Sequence, residues 1–215
     1  MVDSQSNEGR VGARNRSNIL ASAEKVFALY GFKGTSVQQI ADEAGLPKTN
    51  ILYYFGSKKE LYETVLKETL AVWNSHFDRA TPQDDPADTL AEYVREKMEM
   101  SRTNPCASKI FAMEIINGAT NLGEFFEDEQ VSWMNGRKAV IQSWIDQGKM
   151  QPVNPEYLLY TIWASTQHYA DFATQIQRLH GSKMKKADFD EATRTVVTLI
   201  LNGCGLKVPR TFRVG

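Results

Sequence analysis

The stretch GTSVQQIADEAGLPKTNILYYFGSKKELY, residues 34–62, holds two short helical patterns separated by Gly45-Leu46-Pro47. Thr35 or Ser36 caps the first, which carries Val37, Ile40, Ala41 and Ala44 inward at helical spacing and stops at Gly45. Leu46-Pro47 opens the second, which runs through Ile51-Leu52-Tyr53-Tyr54-Phe55 to Gly56. A glycine permits the left-handed backbone that so tight a turn needs, and Ala41, Leu46 and Ile51 can pack beneath it. Such a pair presents its second helix to the DNA major groove, which is wide enough to admit one helix. Lys48, Thr49 and Asn50 stand at the exposed start of that helix; each can hydrogen-bond base edges or phosphates, and none is needed in a core. Tyr53, Tyr54, Lys58 and Lys59 would flank the groove, where a phenol or ammonium meets phosphate oxygens. Thr35, Ser36 and Gln38, at the start of the preceding helix, complete the expected DNA-contacting set. A helical hairpin serving only as core would have no use for a polar cluster beside an aromatic YYF and a basic pair.

Outward from this segment, almost every stretch has helical period. From Asn15, apolar residues fall at Ile19, Leu20, Ala23, Val26, Phe27 and Tyr30, a stripe that ends at Gly31. Ser57 caps a long fourth helix reaching about residue 79, with Glu60 at the capping-box position. TPQDDPAD (81–88) is a linker, and helical patterns follow at about 88–103, 106–117, 122–147, 155–179 and 188–203. The expected fold is all-α, with about nine helices. Residues 1–12, rich in Ser, Asn, Gly and charge, are expected to be a disordered tail. Residues 13–60 form a three-helix helix-turn-helix DNA-binding head, 61–205 a helical ligand-binding and dimerisation domain, and 206–215 a second tail.

Composition narrows the function classes. A chain of 215 residues with 42% hydrophobic and 24% charged residues has ample length to bury a core. Its net charge of −1 conceals an asymmetry: residues 1–59 carry eight Lys/Arg against five Asp/Glu, a net +3, whereas the remainder is net negative. Positive charge gathered at the N-terminus suits a phosphate-binding head. No apolar run approaches the roughly 18 residues that span a bilayer, and the polar first stretch is not a secretory signal, so no membrane partner is expected. Cys106 and Cys204 lie far apart without CxxC spacing and suit free thiols in a reducing compartment, the cytoplasm. His76, His168 and His180 are the three histidines; no Cys/His cluster, glycine-rich phosphate loop or nucleophile elbow accompanies them. Catalytic residues, a metal site and a cofactor are therefore not expected, and the chain does not read as an enzyme.

The pattern Thr35, Ile40-Ala41, Ala44-Gly45, Leu52-Tyr53-Tyr54-Phe55, Ser57-Lys58 and Leu61 resembles the DNA-binding signature of the TetR family, over about residues 15–62. That resemblance implies a homodimer whose last two helices form a four-helix bundle with those of its mate, and a ligand pocket in the core of the larger domain. KTNILYYF (48–55), AMEIINGA (112–119), WIDQGKMQPVNP (144–155) and WASTQHYADFATQ (163–175) are similar, more narrowly, to the pyrimidine-utilisation regulators within that family. This likeness covers about residues 14–204, and both tails depart from it.

If 155–179 is one helix, Trp163, Gln167, Ala170/Asp171 and Thr174 share one face, while Ser165, His168 and Phe172 share another. A glutamine among apolar and aromatic neighbours is costly to bury unless its amide is paired. Uracil and thymine present an N–H beside a C=O, which one carboxamide can match with two hydrogen bonds. Trp73 could stack on such a flat ring. The resemblance implies that the residues at Gln167 and Trp73 contact the pyrimidine, with Trp163, His168, Tyr169 and Asp171 as neighbours. Tryptophans at helical spacing equally suit a core, and Gln167 equally suits a backbone carbonyl or the dimer seam. Near the C-terminus Phe189, Val196 and Ile200 lie on one stripe and are expected to meet the partner subunit. The functional expectation is a repressor of double-stranded operator DNA released by a small pyrimidine. The alternatives are the same architecture answering another effector, or a helical enzyme or scaffold without DNA binding.

Overall fold

Helix starts along this chain are marked by side-chain caps and prolines. The computed structural model describes residues 3–123 and 126–213, and all their regular structure is helical. The helices are α1 (Asp3–Gly34), α2 (Val37–Ala44), α3 (Lys48–Phe55), α4 (Lys58–Asp78), α5 (Pro86–Thr103) and α6 (Pro105–Ile116). A π-helical turn at Phe126–Gln130 leads into α7 (Val131–Asp146), followed by α8 (Pro155–Asp171), α9 (Ala173–His180), α10 (Lys186–Gly203) and a 3-10 turn at Arg210–Phe212. Proline opens α5, α6 and α8, where its missing N–H costs no helical hydrogen bond and its fixed φ already suits the helix. Asp85 accepts from the backbone N–H of Ala87 at 2.7 Å, and Asn154 from that of Glu156 at 2.9 Å, so both helices begin with satisfied donors.

The helical patterns read from the sequence correspond to these elements with three differences. α1 is helical from Asp3, within the segment expected to be a tail; no proline interrupts it. The pattern at 122–147 is helical in two pieces, the π-turn and α7. The pattern at 155–179 is not one helix: Phe172 adopts φ −109°, ψ 24°, which ends α8 and starts α9. Thr174 therefore does not continue the face that Trp163, Gln167 and Asp171 share.

The chain divides into two compact units, Met1–Leu70 with Lys109–Gly123, and Ala71–Ser108 with Glu124–Gly215. In the first, Ile19, Ala23 and Phe27 of α1 are buried together with Ile40, Ala41, Ile51, Leu61, Tyr62 and Leu66. Tyr30, placed on the same stripe from the sequence, is instead largely exposed, because α1 breaks at Gly31 (φ +66°) one residue later. Arg16 bonds Glu68 at 2.9 Å and lies over the Phe55 ring, and Asn18 donates to the Ala44 carbonyl at 2.8 Å.

In the second unit, Phe77 stacks on Tyr93 with ring centroids 4.7 Å apart, and Trp144, fully buried, meets Phe77 edge-on. Trp144 also donates through Nε1 to the Thr81 carbonyl at 3.0 Å, and Lys149 Nζ donates to the Pro82 carbonyl at 2.8 Å. The linker after α4 is thereby pinned. Arg137 caps the end of α4 through the Phe77 and Ala80 carbonyls. Leu206 is buried, and Val208 and Phe212 pack on the same core, so part of the C-terminal segment expected as a tail is anchored. Val196 and Ile200 are buried in this core too, with Phe189 packed against it. That overturns the expectation that this stripe faces a partner: α10 turns it toward α5 and α8 of its own subunit.

Candidate nucleic-acid interface and effector site

α2 owes its start to a reciprocal pair. The Ser36 hydroxyl accepts from the Gln39 N–H at 3.2 Å, and the Gln39 side chain accepts from the Ser36 N–H at 2.7 Å. Gly45, at φ +64°, ends the helix and returns its N–H to the Ala41 and Asp42 carbonyls. α3 then begins at Lys48 without any side-chain cap, leaving its first N–H groups and its positive dipole end open toward an anion. Ile51 and Phe55 anchor α3 inward. Its outer side presents Lys48 and Thr49, exposed, and Asn50, half-buried; Tyr53 is 83% exposed, with the half-buried Tyr54 ring edge-on to it at 5.3 Å.

Not every residue in the expected DNA-contacting set lies on that surface. Ser36, Gln38 and Lys59 are exposed, the Gln38 amide bonding Asp42 at 2.8 Å. Thr35 is buried, and its hydroxyl donates to the Gly31 carbonyl at 2.7 Å, closing the α1–α2 corner. Lys58 donates to the Phe32 and Thr35 carbonyls at 2.9 and 2.8 Å and stands 4.4 Å over the Phe32 ring. These two residues brace the head from inside.

The candidate effector residues separate in the same way. Trp73 on α4 is buried, and the Lys97 ammonium of α5 sits 4.1 Å from its ring centroid. Lys97 is only 3% exposed, and its ammonium makes no hydrogen bond among the described residues. Burial pushes its pKa from near 10.5 down to about 7, with the Asp171 carboxylate acting in the opposite direction. Asp171 accepts a 2.6 Å bond from the Ser108 hydroxyl. Gln167 is half-buried one turn before Asp171 on α8, and its carboxamide makes no hydrogen bond among the described residues. Trp73 and Asp171 are thus brought together around Lys97, and Gln167 stands one turn before Asp171 on the same helix.

The other three do not join them. Trp163 donates its indole N–H to the Tyr93 hydroxyl at 2.9 Å, within an aromatic group containing Trp133 and Tyr160. His168 is exposed and stacks on Phe172 at 4.8 Å. Tyr169 packs beside Phe189 and lines a cavity of about 360 Å³ bounded by Arg102, Ile176 and Met184. The residues missed from the sequence are Lys97 and Ser108. Lys97 lies in REKMEM (95–100), where four of the six residues are charged, on an amphipathic helix, where a lysine ordinarily faces solvent.

Residues 19–65 match the model of the bacterial regulatory proteins of the tetR family, and residues 66–207 match that of the YcdC-like protein C-terminal region. The chain belongs to the TetR family. The HTH-type transcriptional regulator RutR of Escherichia coli K12 is 36% identical over 203 residues, spanning 94% of this chain and 96% of that protein. The HTH-type transcriptional repressor NicS of Pseudomonas putida is 44% identical over 86 residues, 38% of this chain and 39% of its own. Among solved structures, AibR in complex with isovaleryl coenzyme A and operator DNA superposes with a TM-score of 0.67 at 16% identity, covering 86% of this chain and 97% of that one. The last likeness speaks for the fold alone. As a TetR-family member the chain is a DNA-binding transcriptional regulator, and its family and relatives are regulators rather than enzymes. Regulators of this family are dimers that bind operator DNA and small-molecule effectors. No helix among the described residues is long and apolar enough to cross a membrane.

Proposed function

We propose that this regulator is a dimeric repressor that α3 seats on its operator and that a small pyrimidine, uracil or thymine, releases. The carrying observation is the Gln167 carboxamide, half-buried on α8 and without a hydrogen-bond partner among the described residues. A donor and an acceptor so placed are free to receive a ligand offering both, and the N–H/C=O edge of a dioxopyrimidine does so. The WASTQHYADFATQ run, which resembles the pyrimidine-utilisation regulators, supports the same ligand class. Lys48, Thr49, Asn50 and Tyr53 on the outer side of α3 support the reading head, and the open helix start supports a phosphate contact beside it. Tyr157 and Leu199, 64% and 68% exposed, with Tyr160 on the same helix as Tyr157, support a partner surface on α8 and α10.

Thermal-shift measurements with uracil, thymine and their dihydro forms test the ligand, because a molecule bound only to the native state raises the melting temperature. A mobility-shift titration on the promoter region of the protein's own gene, with and without the stabilising compound, tests release. Stabilisation without release would remove the regulatory half of the proposal; no stabilisation would remove the pyrimidine. A second reading draws on the 360 Å³ cavity, whose apolar wall (Tyr169, Ile176, Met184, Phe189) and basic rim (Arg102, Lys185) suit a larger amphipathic acid. Short acyl thioesters in the same screen distinguish it.

A further inference from the structure

Three side chains of α5 face α8 at successive turns: Tyr93, Lys97 and Ser101. The outer two are satisfied by that helix. Tyr93 receives the Trp163 indole N–H at 2.9 Å, and the Ser101 hydroxyl donates to the Thr166 carbonyl, also at 2.9 Å. Lys97 lies between them, at the level where α8 carries Gln167, and it alone of the three has no hydrogen bond to the neighbouring helix. Around it stand the Trp73 ring of α4 and the Asp171 carboxylate of α8, the latter turned to the Ser108 hydroxyl of α6.

An ammonium taken out of water without an acceptor is costly, and burial accordingly lowers the proton affinity of Lys97. Replacing it by a methionine of similar length would relieve that cost, so its role has to lie elsewhere than stability. The ring face of Trp73 holds the ammonium in place while leaving its N–H donors unused. In its ammonium form a lysine can only donate, which fixes the chemistry of what that form awaits: an oxygen acceptor.

We propose that Lys97 is a specificity-determining residue of the effector site: its ammonium donates to a second ring oxygen, beyond the N–H/C=O edge that Gln167 reads. It rests on the pyrimidine reading of the previous section and goes further by naming the class of ring accepted. Dioxopyrimidines satisfy both residues. A mono-oxo ring satisfies Gln167 and leaves Lys97 buried without an acceptor, so it is turned away.

Isothermal titration of the full-length protein with uracil, pyrimidin-4-one and pyrimidin-2-one tests this. The last two each keep one N–H/C=O pair and lack the other oxygen. Wild type is expected to bind uracil about tenfold or more tightly than either, the usual scale for losing a hydrogen bond to a charged group. Lys97→Met is expected to bind uracil about tenfold more weakly and to lose the preference between uracil and the mono-oxo rings, while retaining operator binding. Equal wild-type affinities for all three rings would overturn the role of Lys97 and leave the pyrimidine in place, and this holds even if the variant does not fold. Undiminished discrimination in a folded Lys97→Met protein would overturn it as well. Wild type that binds none of the three overturns the pyrimidine reading and the Lys97 assignment with it.

Discussion

The Tyr62 hydroxyl donates a 3.1 Å hydrogen bond to the Glu114 carboxylate, joining α4 to α6 inside the first unit. Glu114 is 3% exposed, and its remaining capacity is taken by Asn121, whose backbone N–H reaches Oε1 at 2.6 Å. No basic side chain bonds this carboxylate among the described residues; its charge is held by neutral donors. Burial, and then the negative charge of Glu114, raise the Tyr62 phenol well above its ordinary pKa, so it remains a donor throughout the accessible pH range. Tyr62→Phe keeps the ring contact with Phe27 at 4.8 Å and removes only the hydroxyl. The expected loss is about 1–3 kcal/mol of unfolding free energy by urea titration, the scale for a buried bond to a charged group. An unchanged midpoint would mean that Asn121 alone satisfies Glu114.

Lys48 and Lys58 are expected to fail differently. Lys48→Ala removes a side chain that touches no described partner, so the melting temperature stays and operator affinity falls. The slope of log affinity against log salt should drop by about one if Lys48 neutralises a phosphate. Lys58→Met deletes two bonds to backbone carbonyls at the α1–α2 corner, so the head should lose roughly 1.5–3 kcal/mol of stability. Calorimetric melting run beside a salt titration of operator binding separates the two. A purely electrostatic loss in Lys58→Met, with no change in melting, would return it to the DNA surface. Tyr53→Ala should likewise weaken operator binding without lowering the melting temperature, but, as an uncharged side chain, it should leave the salt slope unchanged.

Gln167→Leu should silence the effector while sparing the DNA. Leucine approximates the shape of glutamine but offers neither donor nor acceptor, so each unmatched ring group costs roughly 1–3 kcal/mol, about ten- to a hundred-fold in affinity. The variant should bind operator as wild type does and should no longer be released by uracil or thymine. Wild-type pyrimidine affinity in this variant would make Gln167 a structural glutamine.

Exposed and buried residues of the last helices carry opposite predictions. Leu199→Glu and Tyr157→Glu place charge on the outward surface of α10 and α8 and should yield monomers by light scattering at micromolar concentration, with little loss of secondary structure. Val196→Ala opens a cavity in the subunit core and should cost roughly 1–3 kcal/mol without changing the oligomeric state. Dimers of unaltered strength in both glutamate variants would move the interface elsewhere.

Lys97 gives stability a pH signature. Its folded-state pKa, about 7, lies below the ordinary 10.5, so between these values the unfolded chain binds a proton that the folded chain does not. Stability therefore rises with pH across that window, and the full cost of burying the ammonium is present below about pH 7. Lys97→Met retains Asp171, His76 and Glu96, so the wild-type minus variant difference isolates the lysine. That difference in unfolding free energy should increase from pH 7 to pH 9; a flat difference would mean that Lys97 is solvated.

The helix-turn-helix was legible in the sequence because its determinants are local. Ser36 and Gln39 cap α2 within four residues, Gly45 supplies the left-handed corner, and Ile40, Ala41, Ile51 and Phe55 mark the inward face by spacing alone. The all-α class followed from the same periodicity. What spacing does not carry is which of two polar residues on a helix meets solvent and which meets another helix. Lys48 and Lys58 read alike in the sequence, yet one projects outward and the other braces the head, because Phe32 and Thr35 arrive from an earlier segment. The Phe172 break was hidden for the same reason: no glycine or proline marks it, so a continuous apolar pattern crossed it. Val196 and Ile200 formed a stripe whose partner, own core or second subunit, only the packing of α10 decided. Lys97 is the strongest case. Its burial depends on α4 bringing Trp73 over it and α8 bringing Asp171 toward it, and residues so far apart in the chain meet only when the tertiary structure closes.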